Sequence, residues 1–244
     1  MAGALEGKLA VVTGATSGIG AAVARRMYGE GATVVGVGRR GDLLAAEAAR
    51  AEGRLIAVCG DLADPHGRGQ AIAEIALRAP RIDVLVNNAG EAAYASPLEL
   101  GAAGWRRLFE INLHAAIELS VELSPRLAPG GHLINVSSVT ARFPPNAWFA
   151  AYAATKAALD RATEALRLEL APLGVHVTSL APGLVDTPLY DKVSGFSGVR
   201  DKLAREVPRW LSPGDLADAV VWIVTRPAHV VVAELVLLPA GQGR

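Results

Sequence analysis

Leu9-Ala10-Val11-Val12-Thr13-Gly14-Ala15-Thr16-Ser17-Gly18-Ile19-Gly20 is the stretch on which the fold turns. A short apolar run ends at three glycines spaced Gly-x-x-x-Gly-x-Gly, and a helical pattern continues to about Gly29. The order is strand, tight turn, helix. Further apolar runs follow: Thr33 to Val37, Arg54 to Cys59, Ile82 to Val86, His132 to Val136, Val175 to Leu180 and Val230 to Leu238. None alternates polar with apolar, as expected of parallel strands covered on both faces. Between them lie predicted helices from about Gly104 to Leu127, from about Ala150 to Leu173, and from Ser212 to Thr225, the last opened by the capping sequence Ser212-Pro213-Gly214-Asp215. Alternation of this kind predicts an α/β fold, one doubly wound domain over residues 1–244 with a seven-stranded parallel sheet flanked by helices. The segment from about 184 to 211 carries no clear pattern. In a compact domain a structureless stretch of that length reads as a lid.

The glycine turn assigns a ligand class. Gly14 suits a tight turn, Gly18 lets backbone approach a pyrophosphate, and Gly20 permits close helix–strand packing. Thr16, Ser17 and Ile19 lie between them, where the start of the helix offers amide N–H groups and a positive dipole end. A glycine-rich loop without ligand is the plainer alternative. The end of the second strand then discriminates between dinucleotides. An acidic residue there holds the ribose 2′-hydroxyl of NAD, but this chain has Gly38-Arg39-Arg40. Two guanidinium groups suit a 2′-phosphate, so NADP(H) is expected ahead of NAD(H), with Arg39 as main contact. Two arginines capping a solvated helix entry is the competing account.

Tyr152-Ala153-Ala154-Thr155-Lys156 carries the chemistry. Four residues apart on a helix, the phenol and the ammonium share one face. A tyrosine with its ordinary pKa near ~10 is a sluggish acid or base at neutral pH, and a neighbouring positive charge lowers that value. The pair is a proton-transfer device for an alcohol or carbonyl.

Taken together, these motifs resemble the short-chain dehydrogenase/reductase family over nearly the whole chain, with its Rossmann-type fold. Asp61-Leu62 follows the third strand, where the resemblance implies contact with adenine, although Asp61 also suits a turn cap. Asn87-Asn88-Ala89-Gly90 matches the family's element bordering the cofactor. Ile111-Asn112-Leu113 holds the family's asparagine, and Asn135-Val136-Ser137-Ser138 its serine. Pro182-Gly183, with Val185 and Thr187 beyond, follows the sixth strand. The resemblance implies Asn112, Ser138, Tyr152 and Lys156 as catalytic residues. Tyr152 would exchange the proton and Ser138 would fix the substrate oxygen. Lys156 would hold the nicotinamide ribose, and Asn112 would anchor a water leading from Lys156 to solvent. No metal is required. Ser138 stands one residue farther from Tyr152 than is common in the family. The loop with Pro144-Pro145 is expected to absorb the difference, and Ser137 is the other candidate. The ending departs from the family's Val-Asp-Gly-Gly and is similar to a subgroup of serine and 3-hydroxy-acid dehydrogenases and clavulanic-type aldehyde reductases.

The totals set limits. Lys plus Arg (24) equals Asp plus Glu (24), so charge gives no reason to expect nucleic acid or an anionic membrane. Cys59, the single cysteine, allows no intramolecular disulfide and fits a reducing compartment. Without a signal-like N-terminus or a membrane-length apolar run, the expected setting is cytoplasmic. The expected partner is a small carbonyl or alcohol substrate, and the resemblance implies a homotetramer or homodimer, for which Ala153, Ala154, Ala157 and Ala158 would permit close helix approach. Leu184, Val185, Leu189, Tyr190, Phe196 and Trp210 from the lid, with Phe143, Trp148 and Phe149, suit an apolar pocket. Glu91 reads as a solvated loop residue and Arg142 as a basic residue without a substrate role, though either is a conceivable substrate contact. A catalytically silent nucleotide-binding regulator would share the fold but break the Asn-Ser-Tyr-Lys set. A sugar-nucleotide epimerase would be longer than 244 residues.

Overall fold

The computed structural model describes residues 3–143, 147–192 and 197–243. In chain order the elements are β1 (Leu9–Thr13), α1 (Gly18–Gly29), β2 (Thr33–Gly38), α2 (Gly41–Arg50), β3 (Leu55–Cys59), α3 (Pro65–Arg78), β4 (Ile82–Asn87), α4 (Pro97–Phe109), α5 (Ala115–Leu123), β5 (Leu127–Val136), α6 (Ala150–Leu170), β6 (His176–Pro182), α7 (Ser197–Glu206), α8 (Pro213–Val224) and β7 (Glu234–Leu237). The sheet is wholly parallel in the order β3-β2-β1-β4-β5-β6-β7. The order reverses on the two sides of β1, so the crevice at the carboxyl ends of β1 and β4 is the place for a ligand in such a sheet.

Burial explains the unbroken apolar runs. Alternate strand residues feed two cores. Ala10, Val12, Val34, Val86 and Leu180 pack under α1 and α8 with Val23, Met27 and Val220. Val11, Val35, Leu85 and Val177 pack on the other face with Ile75, Leu119, Leu123 and Leu170 from α3, α5 and α6. Each such aliphatic side chain contributes about 1.5–3 kcal/mol on leaving water.

Three elements differ from the sequence-based expectation. A short turn opened by the Ser96 capping box is broken at Gly101 (φ 63°), the helix foreseen from about Gly104 follows it, and a wide π-turn at Glu110–His114 interrupts that helix. The last strand is confined to Glu234–Leu237, and the expected run begins instead with a turn in which Val230 N donates to Pro227 O at 2.8 Å. The segment after β6 is not structureless. It contains α7, and its two ends are pinned together where Leu211 N donates to Leu184 O at 3.0 Å and Asp186 N to Leu211 O at 2.8 Å. Closing both ends at one bridge makes it a compact excursion on the rim of the sheet. Phe196 and Pro144-Pro145 lie outside the described residues.

Candidate active site

A cavity of about 640 Å³ runs along the carboxyl ends of the strands. At one end stands the turn between β1 and α1. Gly14 and Gly18 take left-handed φ values of 71° and 56° there, which side chains resist. Gly20 lies behind the cavity wall, where an added Cβ would stand 2.4 Å from both Gly14 O and Asn88 Nδ2. Ser17 begins α1 without capping it through its side chain, so the first amides are left for another acceptor. Thr16, Ser17, Gly18 and Ile19 line the cavity beside them. Arg40 reaches back across this turn, with Nη2 donating to Thr16 Oγ1 at 2.8 Å and Ser17 Oγ at 2.9 Å. The chain thus offers backbone donors, a helix N-terminus and a guanidinium around one point, a donor set that fits a pyrophosphate. Thr187 closes over it, its Cγ2 3.3 Å from where a Gly18 Cβ would stand.

Thr13 ties this turn to the next. Its Oγ1 accepts from Asn88 N and Ala89 N, both at 2.9 Å, and Asn88 Nδ2 donates to Thr13 O at 2.9 Å. Gly90, at the end of that stretch, must be small, since a Cβ there would come 2.8 Å from Asn112 Oδ1. The π-turn aims Asn112 at this point. Its Oδ1 accepts from Glu91 N at 2.9 Å, and its Nδ2 donates to Glu91 O at 2.9 Å and Thr155 Oγ1 at 3.1 Å. Both Nδ2 hydrogens are thereby spent, and one Oδ1 lone pair remains. Asn112 itself is buried behind the cavity wall. Further polar residues support the wall, Asn87 among them as its motif implies, while the parts of Ser120, Asn135 and Thr163 were not read from the sequence. Asn87 Nδ2 donates to Asn135 Oδ1 at 2.9 Å and Ser120 Oγ at 3.0 Å, and Asn135 Nδ2 to Thr163 Oγ1 at 2.8 Å. Asparagines inside apolar strands were the available signal, because a buried amide needs partners.

Ser138, Tyr152 and Lys156 meet at the other end of the cavity. Ser138 Oγ accepts from Thr140 N at 3.2 Å and Thr140 Oγ1 at 3.0 Å, and it hydrogen-bonds with the Tyr152 phenol. Ser137, the alternative, also lines the cavity, but its hydroxyl donates to the backbone Lys156 O at 3.4 Å. Withdrawal of the phenol from water pushes the Tyr152 pKa up to about 12, against the pull of the Ser138 hydrogen bond. The expectation that Lys156 holds it down is therefore not met in this structure. Lys156 Nζ lies 5.9 Å from the Tyr152 ring centre and donates to Val136 O at 2.8 Å. Burial brings Lys156 itself down to about 8, opposed by the Asp160 carboxylate.

The rest of the expected site divides. Asp61, Leu62, Pro182, Gly183 and Val185 line the cavity, and so do Leu184, Leu189, Tyr190 and Phe149. Trp210 meets Tyr190 edge-on at 5.3 Å, and Trp148 stacks at 5.5 Å on Tyr94, which in turn meets Phe149 edge-on at 5.1 Å. Glu91 is no solvated loop residue. Arg107 grips it bidentately at 2.8 Å on both oxygens, and Arg39 Nη2 stands 3.0 Å from Oε1. Arg39 lines the cavity between Glu91 and Asp61. Arg142 is partly buried and paired with Glu234 and Asp160 outside the cavity lining. Gln242 is a lining residue that sequence reading passed over. Its Oε1 accepts from Leu184 N at 2.9 Å, and it stands where a Gly183 Cβ would project.

A glycine turn opening a helix, on a parallel sheet that reverses at β1, with a serine–tyrosine–lysine group across the cavity, defines a dinucleotide-binding oxidoreductase. The family description "short chain dehydrogenase" matches residues 8–196, and the chain belongs to that family. It is 34% identical to an uncharacterized oxidoreductase of Staphylococcus epidermidis, over 95% of this chain and 97% of that protein. It is 33% identical to a serine 3-dehydrogenase of Agrobacterium fabrum, over 95% and 94%. A serine dehydrogenase structure complexed with NADP+ superposes with a TM-score of 0.86 at 28% identity, covering 97% of this chain and 96% of that one.

Proposed function

We propose that the protein is an NADPH-dependent reductase of ketones or aldehydes, working in reverse as an alcohol dehydrogenase. The observation that carries this is the hydrogen-bonded Ser138–Tyr152 pair, set across one cavity from the glycine turn. When bound, the nicotinamide supplies or accepts the hydride. Tyr152 is protonated at neutral pH and so carries the proton that a carbonyl oxygen would take, although burial, which raises its pKa to about 12, makes it a weaker acid than a free phenol. Ser138 already receives two hydrogen bonds from Thr140, so its one O–H, which meets the Tyr152 phenol in this structure, is the group left to donate to an oxygen that gains negative charge beside Tyr152. Lys156 spends one N–H on Val136 O and keeps two for ribose hydroxyls. Asn112 braces the Gly90–Glu91 backbone against α6, and any water it anchors must use the free lone pair of Oδ1.

NADP(H) is preferred over NAD(H) because β2 ends in Gly38-Arg39-Arg40 with no acid. The family also contains a reductase solved with NADH, so the preference rests on these residues. The apolar rim from Leu184, Leu189, Tyr190 and Phe149 suits a small substrate, with the excursion 184–211 as its lid. A homotetramer or homodimer is supported by the groove that Leu113, His114, Ile117 and Glu118 form with Ala158 and Ala162 of α6, and light scattering showing a monomer would exclude both.

The test is Tyr152→Phe, assayed by NADPH absorbance against a panel of ketones and aldehydes. Turnover should fall by about 10²-fold or more, while NADPH titration stays within a few-fold of wild type. Turnover retained in the variant refutes the role of Tyr152. A wild-type protein that reduces nothing in the panel and oxidises no alcohol sinks the activity.

A further inference from the structure

We propose that Glu91 is a specificity-determining residue of the cofactor site, a carboxylate that competes with the 2′-phosphate of NADP(H) for Arg39. The inference deepens the NADP assignment and rests on it. β2, β3 and β4 all end on one rim of the sheet, so Arg39, Asp61 and Glu91, which follow them, crowd a single corner of the cavity. Arg39 Nη2 is 3.0 Å from Glu91 Oε1, and Nη1 is 3.9 Å from Asp61 Oδ2. The two members of the close pair are unequally held. The Glu91 side chain is 26% exposed and is fixed by two Arg107 hydrogen bonds at 2.8 Å, with its backbone N–H and C=O both bonded to Asn112. The Arg39 side chain is 50% exposed and makes only screened ion pairs. Arg39 is therefore the partner that moves.

A 2′-phosphate brings about two negative charges to the ribose, the place where the Arg39 guanidinium is wanted. Glu91 opposes it in two ways. It holds the guanidinium on its own oxygen, and wherever Arg39 goes the carboxylate still repels the phosphate through space. A 2′-hydroxyl feels neither effect to the same degree. Removing the Glu91 charge also frees Arg107, whose cation stands on the same rim. All three consequences act in one direction, on the phosphorylated cofactor alone. Sequence reading does not find this device, because Glu91, Arg107 and Arg39 come from three separate segments.

Dissociation constants for NADPH and NADH, read by fluorescence titration of the purified protein at fixed low salt, test the proposal. Glu91→Gln should tighten NADPH by about three- to tenfold and leave NADH within about twofold. Arg107→Ala, which leaves the carboxylate without its fixed counter-charge, should weaken NADPH and spare NADH. In an Arg39→Ala background the gain from Glu91→Gln should shrink, because the contest for the guanidinium is gone. NADPH binding unchanged or weakened in Glu91→Gln, in protein that melts like wild type, overturns the proposal. NADPH tightened by Arg107→Ala overturns it independently. The wild-type ratio of the two constants separately judges the NADP assignment. A wild type that prefers NADH while Glu91→Gln still selectively tightens NADPH would refute that assignment and leave the role of Glu91 standing.

Discussion

The Leu184 amide has one side-chain acceptor, Gln242 Oε1, and that bond fixes which way the carboxamide faces. Of the two ends of a carboxamide only the oxygen accepts, so this contact is made by Oε1 and leaves the Nε2 hydrogens for other partners. The backbone it holds runs directly into Val185 and Thr187, which both line the cavity. Gln242→Met keeps the length and apolar bulk but loses the acceptor. It should weaken NADPH binding by about three- to tenfold, the equivalent of one net hydrogen bond of roughly 1 kcal/mol. Titration of variant against wild type checks this, and equal constants would show that the turn is held without Gln242. At this scale the sequence was most legible where residue type and spacing carry the chemistry by themselves. Tyr152, Lys156 and the glycines are of that kind. Gln242, Thr13 and Glu91 are not, since each acquires its place from a partner distant along the chain. The pKa of Tyr152 was misjudged for a related reason. The sequence displays the nearby charge of Lys156 but not the depth of burial, and burial dominates.

Elements were legible where one periodicity ran without competition, as in β1, β2 and α6. They were obscured where tertiary contacts cut across local pattern. The apolar run leading into α5 does not show the π-turn, which widens the helix where Asn112 must reach Glu91 and Thr155 together. Arg68 on α3 is a second such case. A guanidinium on a helix usually faces water, yet this one is 2% exposed. It grips Glu118 at 2.6 and 2.7 Å, reaches Glu110 at 3.1 Å, and donates to Leu62 O at 2.9 Å. It therefore ties α3 to α5 and holds the Asp61-Leu62 turn on the cavity rim. Arg68→Met fills similar space but leaves the Glu118 carboxylate and the Leu62 carbonyl without this donor and Glu110 with His114 alone. The carboxylates are partly exposed and water relieves them, so a cost of about 2–4 kcal/mol is expected, at or below the range for breaking a buried pair. Denaturant unfolding measures it. A loss under about 1 kcal/mol would mean that packing alone keeps α3 in place.

The molecule as a whole places its chemistry at the carboxyl rim of the sheet, and its most unusual buried pair elsewhere. His132 and His176 face each other from adjacent strands, ring centres 4.8 Å apart, and both are buried with Nδ1 unpaired. Lys8, which is paired with Asp83 at 3.2 Å, adds a cation nearby. Burial first, then His176 and Lys8, push the His132 pKa from 6.5 down to about 4. A base with a depressed pKa when folded takes up its proton more readily when unfolded. Its contribution to stability is therefore complete above pH 6.5 and is lost as the pH falls through about 4. The whole shift corresponds to an upper bound of about 3 kcal/mol. His132→Phe keeps a ring against His176 and removes the titration. Melting temperatures of wild type should fall between pH 6.5 and 4 more steeply than those of the variant, and the two curves should run parallel above that window. Parallel decline throughout would assign the acid sensitivity to the carboxylates of the ion pairs instead. The NADPH constant of His132→Phe at neutral pH should match wild type, because the pair lies on β5 and β6 several residues before the strand ends that bound the cavity.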